Sequence, residues 1–374
     1  MRKSNFRNLA LALALATGAL QLLGLSASAF AEEPSRSFLM GTTKWPPDMT
    51  LEAVQSVKDF QTKHTDLTAI HLDNGVPWEE SLKGQPYPQA LEDELRAKAP
   101  AGHKLLVAIT PLNLERSALS PPYAKNWSPM SPWAWKAMDS EDVKQAYINY
   151  AKKVVDTTHP DYLAIVIEAN ILLTKSPNKW DQLLNLEKAT YKALKNAYPK
   201  LPVFVSIDTL HLLGQAGHAD VGNQRAQVKE LLKYSDIMAL SVYPFMNPQA
   251  AKPCPDNFLD FATGYNKPLA IAESGYLSRP VRFKNVELPG SDSYQSHWFE
   301  YLLKEAQTKN YLFVVNFASI DYEKMVSKLP AGLQELAGIW TYTGLANSKL
   351  EAKPAMAVWD RFFKLPYHAP TARP

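Results

Sequence analysis

The sequence predicts an α/β fold, a single (β/α)8 (TIM) barrel. Three observations predict it. Eight short apolar segments recur along the chain, each is followed by a stretch of helical periodicity, and the apolar segments are near-continuous rather than alternating. Strands buried on both faces belong to parallel sheets, and eight right-handed strand–helix crossovers close into a barrel. A doubly wound open sheet is the rival. It usually announces itself by a glycine-rich phosphate loop after the first strand, and Gly41-Thr42-Thr43-Lys44-Trp45 lacks that spacing.

Taken in order, the strands are expected at 37–41, 67–72, 104–109, 162–168, 203–207, 237–242, 268–272 and 312–316. Helices are expected at 51–63, 89–98, 140–156, 181–197, 224–233, 257–263, 293–309 and 354–364. Thr50 and Ser140 stand where N-caps belong. Before the first strand, Arg2, Lys3 and Arg7 precede an apolar run over 9–25 and the small-residue stretch Ser26-Ala27-Ser28-Ala29-Phe30-Ala31. That order reads as a secretory signal peptide over 1–31, cleaved before Glu32, with an uncleaved anchor as the alternative. The barrel then occupies 32–374, and the protein is expected to be exported, periplasmic or released, with no stable membrane insertion after cleavage.

Composition narrows the function. With 46% hydrophobic and 21% charged residues the chain has a core to bury and is no disordered tail. The formal charge of +3 comes from the leader: removing its three basic residues from the 40 leaves 37, equal to the 37 acidic ones. A neutral chain offers no phosphate-binding footprint, so nucleic acid is not an expected partner. One cysteine, Cys254, excludes an internal disulfide. Oligomeric state is not readable.

Barrel chemistry sits at the C-terminal ends of the strands. Those ends carry Trp45; His71, Asp73 and Trp78; Thr110 and Asn113; Glu168 and Asn170; Asp208 and His211; Tyr243; Glu273; and Asn316. Glu168 and Glu273 stand out, because each ends a strongly apolar strand, where a carboxylate must be solvated in a cleft or partnered. Three strands apart, they can converge across the barrel mouth, and paired carboxylates share general-acid and nucleophile roles in glycoside hydrolysis. Neither HExxH nor paired cysteines are present, His71-Leu72-Asp73 offers at most two ligands, and no cofactor is expected.

Glu168 with Asn170 two residues on, Ser-Val-Tyr-Pro-Phe at 241–245 and Ala-Glu-Ser-Gly-Tyr at 272–276 resemble clan A glycoside hydrolases. The likeness is nearest to the endo-β-1,4-galactanase (arabinogalactan galactosidase) family, whose post-barrel ending Gly344-Leu345, Lys353-Pro354-Ala355 and Trp359 also resemble. The resemblance implies a retaining hydrolase with Glu168 as acid/base, Glu273 as nucleophile and Tyr243 hydrogen-bonded to the nucleophile. The sequence departs from that pattern in two places. Ile167 stands where the family has an asparagine before the acid/base, and no arginine is evident at strand two.

The expected substrate is a β-linked poly- or oligosaccharide, cleaved by a two-glutamate double displacement. Trp45, Trp78 and Trp340 are expected as sugar-stacking platforms, with His71, Asp73, Asn170, Asp208, Tyr243 and Asn316 as further substrate contacts. The connection over 111–139, with Tyr123, Trp127, Trp133, Trp135 and five prolines, is long enough to be functional. Two alternatives stay open: a barrel carbohydrate-binding protein that has lost its chemistry, and a metal-dependent barrel hydrolase or deacetylase.

Overall fold

Eight parallel strands close a barrel in which each strand pairs with its successor in the chain and the last returns to the first. They are Leu39–Thr43, Leu67–Leu72, Lys104–Ile109, Tyr162–Val166, Val203–Asp208, Met238–Val242, Leu269–Ser274 and Phe313–Asn316. The computed structural model describes residues 34–123, 131–217, 219–247 and 253–370. The expected leader over 1–31 and Trp127 lie outside them.

The strands form because apolar residues serve two cores at once. One set faces the barrel axis, including Leu39, Ala69, Ala108, Phe204, Ala239 and Phe313. The other faces the helices, including Met40, Ile70, Val107, Val205, Leu240 and Val314. That double burial is why the segments read as continuous hydrophobic runs.

Around the barrel run the helices Leu51–His64, Gln89–Arg96, Glu141–Thr158, Trp180–Ala197, Val221–Leu231, Asp292–Thr308 and Pro354–Phe363. Thr50 caps the first as expected, its hydroxyl accepting the Ala53 N–H at 3.1 Å. Ser140 occupies its cap position, but its hydroxyl makes no cap bond. The helix expected at 257–263 is a 3-10 segment, Asp260–Tyr265, and the hairpin Val281–Phe283 with Val286–Leu288 was not anticipated.

The end of the barrel at the strand N-termini is closed by both termini of the described chain. Arg36 N–H donates to Pro366 O at 2.9 Å and His368 N–H to Arg36 O at 2.9 Å. The Arg36 guanidinium pairs with Asp66 and lies 5.3 Å over both the Phe363 and Tyr367 rings. At the opposite end, a 2.6 Å bond from buried Lys353 to buried Asp321 ties the strand-eight connection to the last helix. Burial drives the Asp321 carboxyl up to about 6 against the pull of Lys353.

Candidate active site

Alternation along a strand decides which strand-end side chains reach the barrel mouth. After the axis-facing Ala69, Phe204, Ala239 and Val315, the inward positions continue to His71, to Ser206 and Asp208, to Ser241 and Tyr243, and to Phe317. The two glutamates need departures from that regularity. Strand seven carries one extra residue against strand six: Leu240 pairs with Ile271, but Ser241 pairs with Glu273. Ala272 and Glu273 therefore both serve the inner side. Strand four carries one extra residue against strand five, with Ala164 opposite Phe204 and Val166 opposite Val205. This places Ile167 in the inner core, 1% exposed. Glu168 then takes left-handed backbone, φ 52°, which costs a non-glycine residue about 1–2 kcal/mol. Irregular pairing at a barrel rim re-aims side chains, and strained backbone is held where surrounding bonds fix it. Here Glu168 N–H donates to Ser206 Oγ at 2.8 Å and Ala169 N–H to Ser206 O at 3.0 Å.

The two carboxyls are linked through strand six. Ser241, the register partner of Glu273, donates its hydroxyl to Glu168 Oε1 at 2.8 Å. Two residues on, the Tyr243 hydroxyl donates to Glu273 Oε2 at 3.0 Å. His71 Nδ1 lies 3.7 Å from Glu273 Oε1. Arg116, 6% exposed, reaches both Glu168, with Nε 3.4 Å from Oε2, and Asp73, with a terminal nitrogen 3.9 Å from Oδ2.

Burial, reinforced by the negative charge of Glu168, pushes the Glu273 carboxyl well above its ordinary range, against Arg116 and the Tyr243 hydroxyl. Glu168 is raised by burial too, with Arg116 opposing. Burial raises both carboxyls, and the charge of Glu168 raises Glu273 further, so the two do not ionise independently, which is the setting in which one site can hold an acid and a base. Burial lowers His71, which keeps its imidazole neutral at neutral pH.

Among the remaining expected contacts, the structure separates rim residues from core residues. Asp208 stands at the rim beside Glu168, its Oδ1 accepting both the backbone N–H and Nδ1 of His211 at 2.7 Å. Trp45 and Trp340 are half-buried and both pack against Phe317, with ring centroids at 6.2 and 6.1 Å, and Trp340 also lies 5.9 Å from Tyr243. Three expectations are corrected. Trp78 is fully buried, stacked on Trp133 at 5.5 Å, with its indole N–H on Ser120 O, so it has no face to offer a sugar. Asn170 is fully buried and stitches strand four to strand five: its amide donates to Asp208 O and Gln224 Oε1 and accepts the Asp208 N–H. Asn316 is fully buried, donating to Ala318 O and Thr343 O. Cys254 is buried and pushed up to about 12, an inert thiol.

Sequence reasoning missed Arg116, Ser241, Ser206 and Phe317 as parts of the site. Arg116 carried no local signal, being one basic residue in a long connection. The missing arginine at strand two was the only hint that another element had to supply one. Among the described residues no cluster of three or more His, Cys, Asp or Glu could hold a metal ion, and no helix is long and apolar enough to cross a membrane.

The family model of glycosyl hydrolase family 53 matches residues 120–317, just over half of the chain. Both glutamates and Tyr243 fall within the match, while Trp45, His71, Asp73 and Arg116 precede it. No curated protein matches the chain in sequence. Among solved structures, the GH5_18 protein from Streptomyces cattleya in complex with GlcNAc has a TM-score of 0.64 at 14% identity, over 91% of this chain and 83% of that one. The Ignisphaera aggregans GH53 catalytic domain has a TM-score of 0.54 at 16% identity, covering 90% and 92%. A GH5_18 variant from Bifidobacterium longum subsp. longum ATCC 55813 in complex with Manb1-4GlcNAc has 0.63 at 12%, covering 88% and 80%. At these identities the likeness speaks for the barrel fold.

Proposed function

The chain belongs to glycosyl hydrolase family 53, and from that membership we propose that Glu168 and Glu273 divide the chemistry of a retaining hydrolase of β-linked glycans. The observation that carries the division is the bridge through strand six: Ser241 touches Glu168 and sits in register with Glu273, while Tyr243 holds Glu273. On this reading each carboxyl serves one side of a shared sugar position.

In the first step a Glu273 oxygen bonds the anomeric carbon as the glycosidic C–O bond breaks, and Glu168 gives its proton to the leaving oxygen. In the second, Glu168 takes a proton from water, the hydroxide bonds the anomeric carbon, and the bond to Glu273 breaks. Two inversions restore the starting configuration. The Tyr243 hydroxyl favours the ionised nucleophile, and half-buried His71 beside it adds bulk and polarity without a competing charge. Trp340 and Trp45 form, with Phe317, an aromatic wall beside Tyr243, suited to the apolar face of a sugar ring. Asp208 and His211 lie on the Glu168 side, where the departing sugar would be held.

The expected compartment follows from the sequence alone: the leader over 1–31 favours an exported, periplasmic or released enzyme, and cell fractionation tests it.

Turnover on a panel of β-glycans and activated aryl β-glycosides tests the division of labour. Glu273→Ala should abolish cleavage of every substrate. Glu168→Ala should lose natural glycans while still being glycosylated by aryl substrates whose leaving group needs no proton. A Glu273→Ala enzyme as active as the wild type removes the assignment, and so does glycan binding without any turnover that Glu273→Gln leaves unchanged.

A further inference from the structure

Arg116 is an unusual residue to find at the centre of this site. It comes from the connection after strand three, adopts left-handed backbone at φ 55°, and is 6% exposed. The turn that carries it is braced around Asn113. The Asn113 carbonyl accepts both the Arg116 N–H at 2.9 Å and a guanidinium nitrogen at 3.2 Å. The Asn113 side-chain oxygen accepts the Ser117 N–H at 2.8 Å, and Leu112 bridges Leu119 across the base. So constrained a turn delivers one guanidinium between two carboxylates, 3.4 Å from Glu168 and 3.9 Å from Asp73. Neither distance is the 2.7–2.9 Å of a committed charge-assisted bond. The cation is shared.

We propose that Arg116 is a positioning residue of the hydrolytic cycle, a single counter-ion that leans to Asp73 while Glu168 carries its proton and closes on Glu168 when that proton has been given away. The proposal rests on Glu168 being the acid/base. It explains how one carboxyl serves as acid and then as base: its ionised form gains a partner that its protonated form does not need. The groups facing Glu168 are Arg116 from the strand-three connection, Asp208 and His211 from the end of strand five, Ser241 and Tyr243 from strand six, and Glu273 from strand seven. Asp208 and Glu273 oppose its ionisation, and Arg116 is the strongest charge favouring it. Arg116 also steadies the ionised form of Glu273, whereas Asp73 works against it.

The pH profile of kcat/KM on an aryl β-glycoside reads this sharing. Arg116→Ala removes the cation from both glutamates, so both limbs should move to higher pH, by about 1 unit or more, with activity down about 100-fold. Asp73→Asn frees the guanidinium for Glu168 and removes a negative charge near Glu273, so both limbs should move to lower pH. Arg116→Lys keeps the charge and should leave the limbs near their wild-type positions while lowering kcat. A merely structural arginine predicts lost activity with unmoved limbs in all three. Shifts of the same sign in Arg116→Ala and Asp73→Asn, or none in either, overturn the proposal. Should Arg116→Ala fail to fold, the Lys and Asp73→Asn variants decide it alone. If these profiles stay unmoved while Glu168→Ala and Glu273→Ala behave as proposed, the shared-cation idea falls and the hydrolase reading stands.

Discussion

Tyr243 sets how ready Glu273 is to act, because its hydroxyl donates directly to that carboxylate. The bond stabilises the ionised form, so losing it raises a pKa that burial has already pushed up. More of the nucleophile is then protonated at any given pH. For Tyr243→Phe, the acid limb of the kcat/KM profile should therefore move to higher pH, and kcat should fall by about 10- to 100-fold, the worth of a hydrogen bond to a charged group. A steady-state profile checks both. The same scale shows why some residues were legible and others were not. Glu168 and Glu273 were visible because a carboxylate ending an apolar strand is too costly to bury alone and must meet a cleft or a partner. Asn170 and Asn316 stand at equivalent ends, yet amides are content in the core when their donors are met: Asn170 donates to Asp208 O and Gln224 Oε1, and Asn316 to Ala318 O and Thr343 O.

At the scale of elements, the site depends on irregularities in two strands. One extra residue in strand four and one in strand seven re-phase the last positions: the first lies between Ala164 and Val166, a few residues before Glu168, and the second is Ala272, directly before Glu273. Apolar periodicity located every barrel strand, two of them to the residue, but strand four was drawn on to 168 where it ends at Val166. Hydrophobicity does not register the strand-four bulge, since the residues on either side of it, Ala164 and Val166, are both apolar. The short helix Trp78–Lys83 carries the other lesson. Trp78 follows strand two in sequence, and that proximity suggested a sugar platform. In the fold the helix turns its first residue inward, where Trp78 stacks on Trp133 and lies 5.9 Å from Tyr147. Trp78→Ala should therefore cost about 3–5 kcal/mol in denaturant unfolding, the range for truncating a buried aromatic, with KM for the glycan unchanged. A raised KM at native stability would return Trp78 to the cleft.

Over the whole molecule, stability and site geometry meet where the last helix is tied to the rim. Lys353 donates to Asp321, to Ser278 Oγ at 2.9 Å and to Tyr342 O at 3.2 Å, and Asp321 Oδ1 also accepts the Gly344 N–H at 3.0 Å. A Cβ on Gly344 would stand 2.4 Å from the Asp321 nitrogen, so the close approach needs glycine. Removing one member of such a pair leaves the other charge buried and unpaired. Asp321→Ala should lose about 3–5 kcal/mol, seen as a lower denaturation midpoint, whereas a change near zero would mean the pair is dispensable. Pattern along the chain was enough to fix the barrel and the order of its strands, and it pointed to two strand-end carboxylates as candidates. Continuous apolar runs admit one kind of sheet, and an acid at the end of such a run has to face a cleft. Only the tertiary structure decided that Arg116 joins them, that Trp78, Asn170 and Asn316 belong to the core, and which side of each strand end opens to the cleft. Those outcomes depend on bulges, left-handed turns and contacts between residues far apart in the chain, which local pattern does not encode.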